Sequence, residues 1–424
     1  MKKDRRAFLE TAVAAGAAVA VTAKTKHIEA QASVPQAADA RRPVPRRKSP
    51  ARPFNGPYEG PFLNRFAFPI GGIGAGMFCL EGTGTISHMS VRNSIQMYNE
   101  PCMFAAVAVR GAKTPARVVE GPVPDWKIFG SPGTGNGAAG TSYGFPRFAK
   151  ASCEVLFPFC TVKLDEPGYP LEAEVMGCSP FIPGNGDDSS LPAGALEYTF
   201  TNTSAKKVEA VFSCHSKNFM ASQGSENTIL PIRGGFVLHQ DATEKKPADG
   251  GDFAIFVEGD DAVVDHCWFK GGWWDALTLA WRNVQERTLM DNPPVKGPCP
   301  GASLFVPFTL APGAKKTVHV LFAWYVPKSD LRIGENPPGS MTEKDKADEA
   351  ASACSASRTH VPWYAGKFKS IAEVADHWRN RYGDLWLRTC LFRDTFHDPT
   401  LPPEVLEAVA ANLTILKTPT VLRA

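Results

Sequence analysis

The sequence lacks the short motifs that most directly indicate a chemical site. Its ten cysteines form no C-x-x-C pair, which argues against a zinc ribbon or a thioredoxin-type redox site. The spacing of the histidines matches no metal-ligand pattern. We therefore predict no metal and no cofactor, and these patterns assign no catalytic residue.

The sequence also has little excess charge and no long apolar run. Its formal net charge is +3, and the basic excess falls within residues 1–58, so the remainder is mildly acidic. An acidic body argues against nucleic acid as a partner. The Ala- and Val-rich run Thr11–Ala23 is shorter than the roughly 20 apolar residues that cross a bilayer.

Residues 1–32 resemble a twin-arginine export signal. A basic start and a mildly apolar run precede Ala30–Ala32, a small-x-small cleavage sequence. Asp4 and Glu10 depart from the usual motif, which is otherwise formed by Arg5, Arg6, Phe8 and Leu9. We expect periplasmic or extracellular localisation, with only transient contact with the membrane export machinery. The alternative is an uncleaved N-terminal helix or a wrong start codon.

Export by this route has a consequence for the cysteines. Twin-arginine substrates cross the membrane folded, so their thiols first meet a reducing compartment. We therefore expect buried free thiols rather than disulfides. Residues 33–60 are rich in Pro, Ala and Arg and are predicted to be a solvated linker. Contact of their basic cluster with anionic lipid is the alternative.

Residues 61–335 read as a β-sandwich. With 37 Gly and 36 Pro, the composition suits a loop-rich β protein. Short apolar runs alternate with polar residues at a period of two, as in Leu196–Phe200 and Val318–Leu321, which indicates antiparallel strands. The polar stretch Asn202–Lys207 separates two such runs and is predicted to be a hairpin turn.

Residues 336–424 change to a helical pattern. Apolar residues from Ile371 to Trp386 recur at helical spacing, which predicts an amphipathic helix of about five turns. Pro402 and Pro403 open a second apolar helix, and Pro419 follows its end near Lys417. The fold class is thus mainly β, followed by a few α-helices.

The run Gly71–Gly76 is the most conspicuous motif. A dinucleotide fingerprint needs a helix directly after the glycines. Here Met77–Leu80 reads as a strand, and no Gly-Lys-Ser/Thr follows. We therefore favour a tight, closely packed backbone loop over a nucleotide site.

Two further candidates have ordinary structural readings beside their functional ones. Asp187 and Asp188 lie in a Gly/Asn-rich loop, where calcium binding is less favoured than a solvated turn. Trp273 and Trp274 are candidates for stacking on sugar, although packing in a core or a domain interface is favoured.

Several segments, taken in order, are similar to glycoside hydrolase family 116, the non-lysosomal glucosylceramidase or bile-acid β-glucosidase type. They cover most of the chain after Phe62. The matching segments are Phe68–Gly76, Gly84–Ser87, Val91–Asn93, Phe157–Phe159, Tyr169–Leu171, Ser179–Pro183, Asp187–Pro192, Glu197–Asn202, Ala323–Tyr325, Leu401–Pro403 and Leu416–Thr420.

That resemblance implies a β-sandwich followed by an (α/α)6 barrel, and retaining cleavage of β-glucosides by a Glu nucleophile and an Asp acid/base. Retention requires the two carboxyls about 5 Å apart. In the family both lie in the barrel, and no position of this sequence matches either motif. The helices from residue 336 onward would then begin an incomplete barrel, and this chain alone would be inactive.

The implied partner is an (α/α)6 catalytic domain, the chain's own or separately encoded, and the implied substrate is a β-glycoside. Glycines of the loop would then shape the interface with the barrel, and the candidates there are Gly71, Gly72, Gly74, Gly76 and Asn93. The alternative is a non-catalytic carbohydrate-binding or structural module. The apolar terminal helix argues against that alternative, because a self-sufficient sandwich would leave it uncovered.

Overall fold

The computed structural model describes residues 52–92, 94–97, 99–128, 141–222, 227–259, 261–273, 275–331, 360–398 and 400–423. The export signal, residues 33–51 of the linker, Asn93, Trp274 and residues 332–359 lie outside the described residues. Arg52–Ala424 makes up one compact unit.

Strands dominate the described residues. In chain order they are β1 (Tyr58–Glu59), β2 (Ala67–Ile70), β3 (Met77–Glu81), β4 (Ile86–Ser90), β5 (Met103–Val109), β6 (Ala116–Val118), β7 (Lys150–Leu156), β8 (Phe159–Asp165), β9 (Leu171–Cys178), β10 (Ala193–Asn202), β11 (Val208–Lys217), β12 (Asn227–Ile232), β13 (Gly235–Gln240), β14 (Gly251–Val257), β15 (Val263–Asp265), β16 (Gly301–Leu310) and β17 (Lys315–Tyr325).

The strands form a sandwich of two main antiparallel sheets. The larger sheet has nine strands in the order β1-β7-β8-β9-β10-β17-β14-β13-β12, and the smaller has five in the order β15-β16-β11-β5-β6. A third sheet, β2-β3-β4, has three strands. The main core lies between the two large sheets, where Tyr198 on β10 and Phe212 on β11 have ring centroids 5.0 Å apart. The predicted fold class is therefore confirmed.

The hairpin prediction at Asn202–Lys207 was wrong. β10 pairs with β9 and β17, whereas β11 pairs with β16 and β5, so this turn crosses from one sheet to the other. Asn202 holds the crossover tight, because its Nδ2 donates to Lys206 O at 2.8 Å and to Leu310 O at 3.1 Å. Alternation places one face of a strand inward but does not say which sheet the strand joins.

The described residues form five helices, and two of them cover the outer faces of the sandwich. The helices are α1 (Asp125–Ile128), α2 (Ala276–Glu286), α3 (Trp363–Lys367), α4 (Ile371–Phe396) and α5 (Pro403–Leu413), and a 3-10 turn over Thr414–Lys417 follows α5. Helix α2 packs on the five-stranded sheet and α4 on the nine-stranded sheet. Among the described residues, no helix has the length and apolarity that crossing a bilayer requires.

Helix α4 begins with a side-chain cap similar to a capping box. Ser370 accepts a hydrogen bond from Glu373 N, and Glu373 in turn accepts one from Lys369 N at 2.8 Å. Its Trp378 lies buried on the sheet and donates from Nε1 to Gly194 O at 3.1 Å. The small residues Ala193, Gly194, Ala195 and Ala323 lie beneath the helix and let it approach closely.

Candidate functional site at the glycine loop

The glycine loop Gly71–Gly76 joins β2 to β3, so a strand and not a helix follows it. A helix N-terminus is what would bind a phosphate at such a loop. The geometry therefore agrees with the predicted tight backbone loop. Its polar groups bind other parts of the chain: Ile73 N donates to Ser189 O at 2.8 Å, and Trp324 Nε1 donates to Ala75 O at 2.6 Å.

The glycines of this loop have no room for a side chain, and Gly74 and Gly72 show this against distant parts of the chain. Gly74 has a φ of +70°, and a Cβ there would collide with the backbone nitrogen of Arg423 and lie 2.6 Å from its Cβ. Gly72 is tight for a different reason, since a Cβ would collide with Leu191 O and lie 2.5 Å from Ser190 C. The loop is thus clamped between the Ser189–Leu191 segment and the last described residues of the chain.

Lys417 is the residue at this site that sequence reasoning missed. It is 1% exposed, and its Nζ donates to Ser179 O at 3.0 Å, Pro180 O at 3.2 Å and Gly71 O at 3.3 Å. Burial lowers the pKa of this amine to about 7. Lys417 therefore ties the 3-10 turn after α5 to the start of the glycine loop and to the end of β9.

The sequence did contain a signal for Lys417. Leu406, Ala410, Leu413 and Lys417 follow one another at spacings of four, three and four residues, so the lysine falls on the apolar face of the helix. Leu406 and Ala410 are buried. A lysine in line with a buried stripe indicates either a paired charge or, as here, a ring of carbonyl acceptors.

The prediction of a solvated turn at Asp187 and Asp188 was wrong for the second residue. Asp188 is buried and accepts from Arg381 Nη1 at 2.6 Å and from Arg388 Nη1 at 3.0 Å, both on α4. Asp187 pairs with Arg423 at 2.6 Å. Burial alone would raise the pKa of Asp188, but the two guanidinium groups hold it below its usual value. The arginines lie almost two hundred residues away, so the local sequence could not indicate them.

An open pocket of about 310 Å³ lies beside the loop, between the β3–β4 hairpin and the turn that follows α5. Its walls include Met77, His88, Ile95, Met97 and Ile415. His88 has a φ of +53°, a left-handed conformation that is uncommon for any residue but glycine. Burial, together with the nearby ammonium of Lys127, lowers the pKa of His88 and so disfavours its charged form beside this apolar pocket.

Lys127 also bridges two carboxylates behind that hairpin, of which Glu81 is buried and Glu100 is partly buried. Its Nζ lies 2.7 Å from Glu81 Oε2 and 2.6 Å from Glu100 Oε2, and Tyr143 donates to Glu100 at 2.8 Å. Both carboxylates therefore have a cationic partner, which suits a structural ion cluster better than an acid/base pair. Within the described residues, no group of three or more His, Cys, Asp or Glu side chains could hold a metal ion.

Comparison with known families decides what this arrangement belongs to. The family model described as beta-glucosidase 2, glycosyl-hydrolase family 116 N-term, matches residues 67–385. The chain belongs to this family. The match includes the glycine loop, the sandwich and the first half of α4. It confirms the resemblance drawn from the sequence and places the chain among glycosidase-like proteins.

Other comparisons add little to the family 116 assignment. No curated protein matches the chain. A putative kojibiose phosphorylase from human microbiome is 9% identical with a TM-score of 0.29, and the alignment covers 58% of this chain and 24% of that one. A polysaccharide lyase is 10% identical with a TM-score of 0.27, covering 61% of this chain and 33% of that one. The chain thus spans a third or less of these structures, and such TM-scores say nothing about function.

The other candidates of this family 116 chain lie apart from the loop. Trp273 is 96% exposed on the Gly271–Gly272 turn before α2, so it does not pack in the core, and packing in a domain interface stays a prediction. The neighbouring Phe269 is 44% exposed. Trp274 and Asn93 lie outside the described residues. By contrast, Gly71 and Gly76 pack within the loop's own surroundings: a Cβ at Gly71 would lie 2.9 Å from Met77 Cα, and a Cβ at Gly76 would lie 3.1 Å from Val91 Cα.

A larger groove of about 940 Å³ lies along the outer face of the nine-stranded sheet, near the edge formed by β1 and β7. Acidic and basic side chains such as Glu172, Glu174, Lys163 and Lys315 line it. None of its lining residues is aromatic. It therefore offers charge and hydrogen-bonding groups but no ring on which a sugar could stack.

Proposed function

We propose that this chain is the N-terminal portion of an exported, retaining β-glucosidase or glucosylceramidase-like hydrolase that is inactive by itself. Its division would be a signal over 1–32, a linker over 33–60 whose residues Tyr58–Glu59 already join the large sheet as β1, the sandwich over 61–335 and the start of the catalytic domain over 336–424. The family 116 match over residues 67–385 is the observation that carries the proposal.

The terminal helices support the need for a further domain. Leu387 and Leu391 on α4 are 64% and 68% exposed, and Val405, Val409 and Ile415 are also exposed on or just after α5. An apolar surface of this kind is typical of a protein interface. We propose that an (α/α)6 domain, the chain's own or separately encoded, covers it and carries the catalytic Glu and Asp for a β-glycoside substrate.

Activity measurements test the proposed division of labour. Purified residues 33–424 should not hydrolyse an aryl β-glucoside, because general acid and nucleophile supply most of the rate in this chemistry. Adding the barrel as a separate polypeptide should restore turnover. Turnover by the purified chain alone that one Asp or Glu substitution abolishes would refute the proposal.

Export needs a separate test. Replacing Arg5 and Arg6 together by lysine should retain the protein in the cytoplasm, whereas replacing Arg41 and Arg42 of the linker by lysine should not. Fractionation that finds the Arg5/Arg6 variant outside the cytoplasm would show that the signal assignment is wrong.

Trp273 favours one second candidate, a module that binds carbohydrate without cleaving it. An almost fully exposed indole beside the exposed Phe269 can stack on the apolar face of a pyranose ring. Trp273→Ala should then weaken retention on an insoluble β-glucan, while Leu289→Ala, at another exposed apolar site, should not. Equal retention of both variants and the parent protein would remove this candidate.

A further inference from the structure

Two buried thiols lie in contact inside the sandwich. Cys153 on β7 and Cys160 on β8 are both 0% exposed, and their Sγ atoms are 3.4 Å apart. A third buried thiol, Cys79 on β3, lies close enough to act electrostatically on Cys160. The structure holds all three as thiols.

The strand register brings the pair together. Cys153 lies opposite Val162, and Cys160 lies opposite Val155, so the two cysteines are diagonal neighbours in one antiparallel pair. Diagonal side chains on one face of such a pair are within reach of each other. The two sulfurs need to approach by only about 1.4 Å to reach the bond length of about 2 Å. They lie in adjacent strands of one hairpin, so closing the bond needs a local shift rather than a rearrangement of the core.

The edge of the sheet gives one of the two thiols a route to solvent. At the edge of the sheet β7 is covered by β1, a strand of two residues in which Tyr58 pairs with Cys153, and by the short 3-10 turn Gly60–Leu63 that follows β1. Arg52 fixes that strand: its guanidinium lies 3.9 Å from the centre of the Tyr58 ring and pairs with Glu407 on α5. Detachment of β1 would therefore uncover Cys153 before Cys160.

We propose that Cys153 and Cys160 are a disulfide-forming pair that a small-molecule disulfide oxidises. The Cys153 thiolate attacks one sulfur of the oxidant and releases the other sulfur as a thiolate, leaving a mixed disulfide on Cys153. The Cys160 thiolate then attacks the Cys153 sulfur and releases the second thiolate. The protein loses two electrons and two thiol protons, and the oxidant is reduced to two thiols.

The pairing differs from the expectation of free thiols, and the fraction of protein that carries the bond would depend on the compartment. Burial raises the pKa of the Cys160 thiol well above its ordinary value, so the thiolate is scarce and oxidation is slow in the closed fold. In an oxidising compartment the bond would accumulate, and in a reducing one the pair would stay open.

Peptide mapping under non-reducing conditions tests the pairing directly. Wild-type protein held with oxidised glutathione should yield one linked peptide joining Cys153 to Cys160, lighter by two hydrogen masses than the reduced pair. Cys153→Ser and Cys160→Ser should each remove it, and Cys79→Ser should retain it. A wild-type map without this link, or with a link to Cys79 instead, would overturn the proposal whatever the folding of the variants.

The route through the sheet edge has its own test. Arg52→Ala should raise the rate of oxidation several-fold, because it releases β1. Arg110→Ala removes an exposed ion pair with Glu209 on the other sheet and should leave the rate unchanged. Equal rates for the two variants would refute attack through β1. Oxidation should also raise the melting temperature of the wild type and not that of Cys160→Ser.

Discussion

The two helices that cover the sandwich use their apolar residues to different extents. Helix α2 places Leu277, Trp281 and Val284 against the five-stranded sheet and leaves none of its large apolar side chains exposed. Helix α4 buries Trp378 and Leu385 on the nine-stranded sheet and still exposes further leucines near its end. The sheet beneath α2 covers all of that helix's large apolar side chains. The sheet beneath α4 covers only some of them, and the exposed apolar surface continues onto α5.

The largest expected effect concerns the side chains of α4 that are buried on the nine-stranded sheet. Trp378→Ala should lower the free energy of unfolding by about 3–5 kcal/mol, because it leaves a cavity under α4 and an unmatched carbonyl at Gly194. Leu391→Ala, on the exposed side of the same helix, should change it by less than about 0.5 kcal/mol. Chemical denaturation measures both. Similar losses of unfolding free energy in the two variants would show that the face of α4 that carries Leu391 is already packed.

The next effect concerns the glycine loop, which contacts the end of the terminal segment. Gly74→Val should cost about 2–4 kcal/mol, since the side chain collides with Arg423 and the residue has positive φ. Gly313→Val is the matched control, because Gly313 has a φ of +72° but nothing within 4 Å of its Cβ position. The difference between the two variants in denaturant midpoints measures the collision alone. Equal costs would mean that backbone strain explains the whole effect.

The pH dependence of stability should reveal Lys417. Its folded pKa is about 7, below the 10.5 of an ordinary lysine, so the unfolded chain binds one more proton between those values. Stability from this group is therefore fully present above pH 10.5 and is lost as the pH falls towards 7, with a slope of up to about 1.4 kcal/mol per pH unit. Lys417→Met should remove this slope, and Lys315→Met, at an exposed terminal strand position, should keep it. A wild-type profile parallel to that of Lys417→Met would contradict the low pKa.

The smallest expected effect concerns His239 on β13, which lies next to the edge strand β12 of the nine-stranded sheet. His239 Nδ1 lies 2.6 Å from Asp252 Oδ1, and hydrogen bonding to Asp252 raises the pKa of the imidazole to about 9, although burial opposes this. Its contribution to stability should be present below pH 6.5 and lost as the pH rises through about 9. Because the ring is partly exposed, we expect only a fraction of the Lys417 slope. His239→Gln should flatten this window in thermal melts, and an unchanged profile would show that the ion pair contributes nothing.

Periodicity predicted the elements of this fold better than their partners. The strand at Val318 and the helix from Ile371 follow from spacing alone, since burial of one face imposes the period. The same spacing could not tell that β10 and β11 join different sheets. It also could not extend α4 to Phe396, because the exposed Leu387 and Leu391 depart from the buried stripe of that helix.

The glycine loop shows the same limit at the site. Gly71–Gly76 was recognisable as a tight loop, because glycine runs occur where the backbone must approach another segment closely. Its neighbours were not, since Arg423, Ser190 and Lys417 are brought there by the fold. Asp188 illustrates the cost of local reasoning most directly, because a loop aspartate appears solvated until a distant helix supplies its arginines.

The contacts between the Arg52 segment and α5 also provide a path along which mechanical force can act. Arg52 pairs with Glu407, and the side chain of Asn55 donates to Pro403 O at 2.8 Å, so the chain enters the fold attached to the helix near its other end. Tension applied ahead of Arg52 would therefore act on α5 through these contacts as well as on β1 along the backbone. A tether at this point pulls on the same helix whose apolar residues are exposed, so anchoring and docking would act on one element.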